Sequence, residues 1–118
     1  RVTTPLAEAI RVFRASSNGV RVSTEAPDLP RFWRVSRKGG PRTRSVDHML
    51  LLIECWAPNS VQAEADAIEV DSILRSSPDH SRIISSWGDG NIVDYPDLDP
   101  AVTGYRYQVL GTLHCITF

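Results

Sequence analysis

One segment constrains the fold more than any other: Asp47-His48-Met49-Leu50-Leu51-Leu52-Ile53-Glu54-Cys55-Trp56-Ala57. Its uninterrupted apolar run, Met49 to Ile53, is far short of the ~20 residues a membrane-spanning helix needs. Read at a period of two, one face carries Met49, Leu51, Ile53, Cys55 and Ala57. The other carries His48, Leu50, Leu52, Glu54 and Trp56 and is half apolar. A strand apolar on both faces is either central in its sheet or meets a partner on its second face. The rest of the chain must therefore supply neighbours for this strand and a cover for at least one of its faces.

The flanking segments offer both. Thr4-Pro5-Leu6-Ala7-Glu8 has a capping residue, a proline suited to the first helical position and an acid in the first turn. Leu6, Ala9, Ile10 and Phe13 then form one apolar stripe, and Ser16-Ser17-Asn18-Gly19 ends the helix. Val20–Ser23 and Phe32–Ser36 read as short strands, the second with Trp33 and Val35 inward. Asn59 with Gln62 three residues on resembles a capping box for a helix of about sixteen residues. Its main stripe is Ala63, Ala67, Val70 and Leu74. A second stripe, Val61, Ala65 and Ile68, lies nearly opposite, with Glu64, Asp66, Glu69 and Asp71 on the flanks. A surface helix needs only one apolar stripe, so the second is either half exposed or in contact with something else. Arg75–His80 reads as a loop, Arg82–Trp87 as a strand, Gly88–Asn91 as a turn, and Tyr105–Phe118 as a long final strand. The order α-β-β-β-α-β-β predicts an α+β fold over residues 1–118 as a single domain. Its mostly antiparallel or mixed sheet has about five strands, with both helices packed on one face.

Charge is divided along the chain. Residues 1–46 hold ten Arg or Lys against three Asp or Glu, whereas residues 47–118 hold three Arg against eleven acids. Arg31, Arg34, Arg37, Lys38, Arg42 and Arg44 fall between Asp28 and Asp47 with no acid among them. Such a division suits a nucleic-acid partner, the acidic surface of an identical neighbour, or two regions that neutralise each other within one fold. The basic segment lacks interleaved aromatics for base stacking, so any nucleic-acid contact is to phosphate. Gly39-Gly40-Pro41 breaks the strand before it, which predicts a long, basic, mobile loop from Arg37 to Arg44.

Chemistry-bearing patterns are missing. His48, His80 and His114 lie in unrelated segments without metal-ligand spacing. His114 and Cys115 are strand neighbours that point to opposite faces. Cys55 and Cys115, the only two cysteines, lie 60 residues apart on apolar faces and read as core. Asp94, Asp97 and Asp99 are interrupted by Pro96 and followed by Pro100, and read as a solvated loop. Arg1 to Arg14 is amphipathic and charged, unlike a secretory leader. The expectation is a non-enzyme without metal or cofactor and with no membrane segment.

Several stretches resemble the tail terminator proteins of long-tailed, non-contractile (siphovirus-type) bacteriophages. They are the Pro5-Leu6 helix, Gly19-Val20-Arg21-Val22-Ser23-Thr24, Pro30-Arg31-Phe32-Trp33-Arg34-Val35 and Gly39-Gly40-Pro41-Arg42. Glu54-Cys55-Trp56-Ala57-Pro58 running into the Ala-rich helix, and the Pro-rich loop with Tyr105-Arg106-Tyr107, complete the likeness. The resemblance implies a virion protein, present in the host cytoplasm during assembly and then at the junction of tail and neck. It forms a hexameric ring that caps the head-proximal end of the tail tube, ends tube polymerisation and docks the head connector or stopper protein. Genomic DNA passes through the lumen as a non-specific contact. In such a ring, Arg31 and Arg34 are expected on the basic side of a subunit boundary, facing Glu64, Glu69 or Asp71 of the next copy. Val61, Ala65 and Ile68 are expected on the apolar side, and the outer face of the 47–57 strand is the other candidate hydrophobic contact. Arg37, Lys38, Arg42 and Arg44 are expected to face the lumen or an axial partner. Two rival readings keep the same fold: a head-completion or connector ring in the same neck, and a small nucleic-acid-binding module.

Overall fold

The computed structural model describes residues 4–99 and 104–116. Strand residues expected at 117 and 118, Arg1, and Pro100 of the acidic loop lie outside the described residues. Helix α1 spans Pro5–Ser16, with Thr4 as its cap: the Thr4 hydroxyl accepts from the Ala7 amide at 3.1 Å. It ends where Asn18 and Gly19 take positive φ, 53° and 90°, as a chain turning out of a helix requires. Strands β1 (Arg21–Ser23), β2 (Phe32–Gly39) and β3 (Val46–Ala57) follow. Helix α2 then runs over Ser60–Ser76 and ends in a 3-10 turn, Ser77–His80. Strands β4 (Ile84–Asp94) and β5 (Tyr105–Ile116) complete one five-stranded sheet of order β1-β2-β3-β5-β4.

The fold is α+β, and the sheet is mixed because β1 pairs parallel to β2 while the other pairings are antiparallel. β3 lies at the centre, as its two apolar faces require. It pairs with β2 from Phe32↔Trp56 to Gly39↔Leu50 and with β5 from Val46↔Ile116 to Ala57↔Tyr105. Both helices cover the same face of the sheet. From α1, Ala9, Val12 and Phe13 reach Val22 and Trp33; from α2, Ala67, Val70 and Leu74 reach the inner residues of β3 and β5. Met49, Leu51, Ile53, Cys55 and Ala57 are all fully buried. Each large apolar side chain removed from water in this way contributes about 1.5–3 kcal/mol.

Three local expectations change. Asn59 caps α2, its side chain accepting from the Gln62 amide at 2.9 Å, but the Gln62 side chain does not return to Asn59. It donates instead to Asp66 at 2.9 Å, since a buried carboxylate one turn along is the stronger acceptor. The α2 helix extends through Arg75 to Ser76, where a loop was expected. Gly88–Asn91 is not a turn: β4 continues through it to Asp94, and the sheet absorbs the extra residues as a register shift between Gly88 and Asn91. Glycine inside a strand marks a bulge as readily as a turn. Among the described residues, no helix is long and apolar enough to cross a membrane.

Candidate functional site

The basic segment does not stay together in space. Arg31 makes a bidentate pair with Asp66 on α2, at 2.9 and 2.7 Å, and this pairing raises its pKa. Arg34 reaches the Thr24 carbonyl at 3.4 Å and lies 3.6 Å from Glu54 on β3. Both arginines expected at a subunit boundary therefore have acidic partners within their own chain, and the acid Arg31 selects is Asp66 rather than Glu64, Glu69 or Asp71. Asp66 was missed because nothing in the spacing marks it: 35 residues separate the pair, and only the folded arrangement brings α2 to the residue that precedes β2.

Arg37 lies in β2 and donates to Asp47 from both terminal guanidinium nitrogens, at 2.9 and 2.8 Å. The Asp47 side chain is fully buried, and Arg42 approaches it at 3.7 Å. The arginine hydrogen bonds hold the Asp47 carboxyl below the usual carboxylate range. The backbone closes the same structure. Thr43 donates to the Val46 carbonyl at 2.8 Å, His48 donates to the Pro41 carbonyl at 2.9 Å, and Arg42 bridges to Asp47. Gly40, at φ 98°, lies so close to the His48 carbonyl that a side chain there would collide with it. The expected mobile loop is a clasp folded over a buried carboxylate, with Lys38 and Arg44 on its exposed side.

The acidic helix presents a different surface. Val61 is 77% exposed and Ile68 53%, with Ala65 exposed between them. This second stripe of α2 faces away from the sheet, while Ala63, Ala67, Val70 and Leu74 are buried. Glu64 and Glu69, both exposed, flank the stripe; Glu64 accepts a long 3.5 Å contact from the Tyr107 hydroxyl. Asp71 is engaged within the chain, by Arg75 at 2.7 Å and by the Trp87 indole N–H at 3.0 Å.

Among the described residues, no helix covers the opposite side of the sheet. Its centre holds Leu50, Leu52 and Leu110, with Leu52 and Leu110 paired directly across β3 and β5. Leu110 is 37% exposed. At one end His48 and His114 are cross-strand partners whose Nδ1 atoms lie 2.7 Å apart, so one ring donates and the other accepts. At the other end Phe32 stacks on Trp56 with centroids 6.0 Å apart. The Arg106 guanidinium lies 5.0 Å from the Trp56 ring and 4.8 Å from Tyr95, and bonds Glu54 at 3.2 Å. This aromatic and cationic stack was also missed. It depends on the β3–β5 register, and only the alternation that places Arg106 and Trp56 on outward faces hinted at it.

The chemistry of the remaining groups is quiet. Burial pushes the Cys55 thiol well up and the Cys115 thiol up to about 11, so both are protonated at neutral pH and poor nucleophiles. Among the described residues, no group of three or more His, Cys, Asp or Glu is placed to hold a metal ion. The Asp97 side chain closes a local turn onto the Asp99 amide at 2.9 Å. Among the described residues, the α2 ridge and the helix-free side of the sheet are left uncovered on opposite sides of the domain. In comparisons with protein-family models, curated proteins and solved structures, nothing matches this chain.

Proposed function

We propose that this chain is a ring-forming structural subunit rather than an enzyme, serving as a tail terminator of the kind its sequence resembles. In this role it caps the head-proximal end of a phage tail tube and presents the docking surface for the head connector. The observation that carries the reading is the pair of unlike, uncovered surfaces on opposite sides of one small domain. A cyclic ring of identical subunits joined head to tail needs two different patches on each copy, and an isolated domain has no use for either. The basic segment adds support by subtraction. Arg31, Arg34, Arg37 and Arg42 lie beside acids of their own chain, which leaves less free positive charge for a nucleic-acid module.

Native mass spectrometry of the purified protein, alone and with isolated tail tubes, tests the reading. A hexamer in solution, or a hexameric cap on tube ends that halts further tube growth, is the expected outcome. A ring that binds isolated head connectors but leaves tube growth unaffected would move the protein to the connector side of the neck. A monomer that ignores tube ends would end the ring reading altogether.

A further inference from the structure

We propose that the uncovered sheet face of one copy is seated on the outward α2 ridge of the next, and that this single helix-on-sheet contact, repeated head to tail, builds the ring. The inference rests on the ring-forming reading above and adds which two surfaces meet.

A sheet face with an apolar centre is stable when a second layer covers it. Leu52 and Leu110 face each other across β3 and β5, with Leu50 beside them along β3. Among the described residues, α2 carries a helical ridge of matching character. Val61, Ala65 and Ile68 follow the i, i+4, i+7 spacing of one helix face, and all three are exposed. Ala65, between Val61 and Ile68, keeps the middle of the ridge low, and the exposed Ser72 continues it one turn past Ile68, which lets the helix lie close to a sheet. Because the opposite stripe of α2 is buried against the sheet, the ridge points away from it, and the uncovered face lies on the far side. The two surfaces cannot meet within one chain. Between two copies they meet once and leave one of each free, which is a heterologous contact that continues until a ring closes.

Charge selects this pairing over the symmetric ones. Glu64 and Glu69 border the ridge, whereas the uncovered face carries Arg34 and Arg106 around Glu54, with exposed Arg21 in register beside Phe32 on the same side. Ridge against ridge would set acids against acids, and face against face would set arginines against arginines. Ridge against face sets opposite charges together at the rim, where charge acts mainly on partner choice and association rate.

Two substitutions at exposed positions separate the surfaces: Ile68→Glu disables the ridge and Leu110→Glu disables the face. Native mass spectrometry on each variant alone is expected to show monomer. Mixed in equal amounts, they are expected to form a one-to-one heterodimer and nothing larger, the intact ridge of L110E holding the intact face of I68E. That heterodimer would also demonstrate that both variants are folded. The proposal is overturned if either variant alone assembles like the wild type, or if either forms a homodimer. It is equally overturned if the mixture stays monomeric while circular dichroism shows both variants folded. Where the wild type assembles only on tube ends, each variant is expected to lose the cap there, and a cap retained by either overturns the proposal. A wild type that assembles nowhere is a separate outcome, visible before any substitution is made, and it removes the ring reading together with this one.

Discussion

Trp33 is almost completely buried, its ring set edge-on to Phe13 with centroids 6.0 Å apart, yet its indole N–H has no hydrogen-bond partner among the described residues. A buried donor without an acceptor costs about 1–3 kcal/mol. Trp33→Phe removes that donor while leaving a smaller ring, and the two effects oppose each other. The expected change in stability is within about 1 kcal/mol, against a loss of about 3–5 kcal/mol for Trp33→Ala, both read from denaturant midpoints. Equal losses for the two variants would show that the orphan N–H carries no penalty. Asp47 is the reverse case, a buried carboxylate held by Arg37. Removing one partner of such a pair costs about 3–5 kcal/mol, so Asp47→Asn should destabilise the fold strongly at neutral pH. The carboxyl titrates lower in the folded chain than in the unfolded one. Its contribution is therefore complete above the unfolded value of about 3.9 and is lost as pH falls through the folded value. The stability gap between wild type and variant should narrow below about pH 4, and a gap independent of pH would refute this account.

At the scale of elements, the strand edge at β4 is tied down by a glycine that looks unremarkable in the sequence. A side chain at Gly111 of β5 would stand 2.6 Å from the Trp87 ring, so the indole rests directly on the β5 backbone. From there it reaches Asp71 of α2 at 3.0 Å. Gly111→Ala should expel Trp87, break that bond and cost about 1–3 kcal/mol. The Trp87 indole N–H resonance should move toward its solvent-exposed position, and an unmoved resonance would show that the neighbourhood adjusts without losing the contact. The same region shows what sequence patterns reveal and conceal. The alternation of β3, the Thr4 and Asn59 caps and both stripes of α2 were legible because each is a local signal of one residue type at one spacing. The bulge at Gly88–Asn91 was not, because glycine and asparagine carry the same local signature in a turn, and only pairing with β5 decides between them. The parallel placement of β1 had no signal at all, since three residues are too few to set a direction. Of the candidate surfaces, the ridge was readable and the Arg106 stack was not, because the latter joins residues of β3, β5 and the segment after β4.

Across the whole molecule, the division of charge along the chain is largely resolved inside the fold. Arg31–Asp66, Arg37–Asp47 and Arg34–Glu54 each join the basic first part to the acidic remainder. Of the three uses such a division could serve, self-neutralisation accounts for the arginines nearest the core. The exposed acids beside Val61 and Ile68 are left to face outward. The strand order has a separate consequence, for synthesis. β5 lies between β3 and β4, although it follows both along the chain. While a ribosome is still making the segment after β4, one long edge of β3 has no neighbour, and Met49 to Ile53 offer that edge five consecutive uncharged residues. Unpaired apolar edges of this kind recruit other nascent chains. Substitutions that weaken β5 should therefore be felt first as a lower yield of soluble protein, before any loss of a finished assembly.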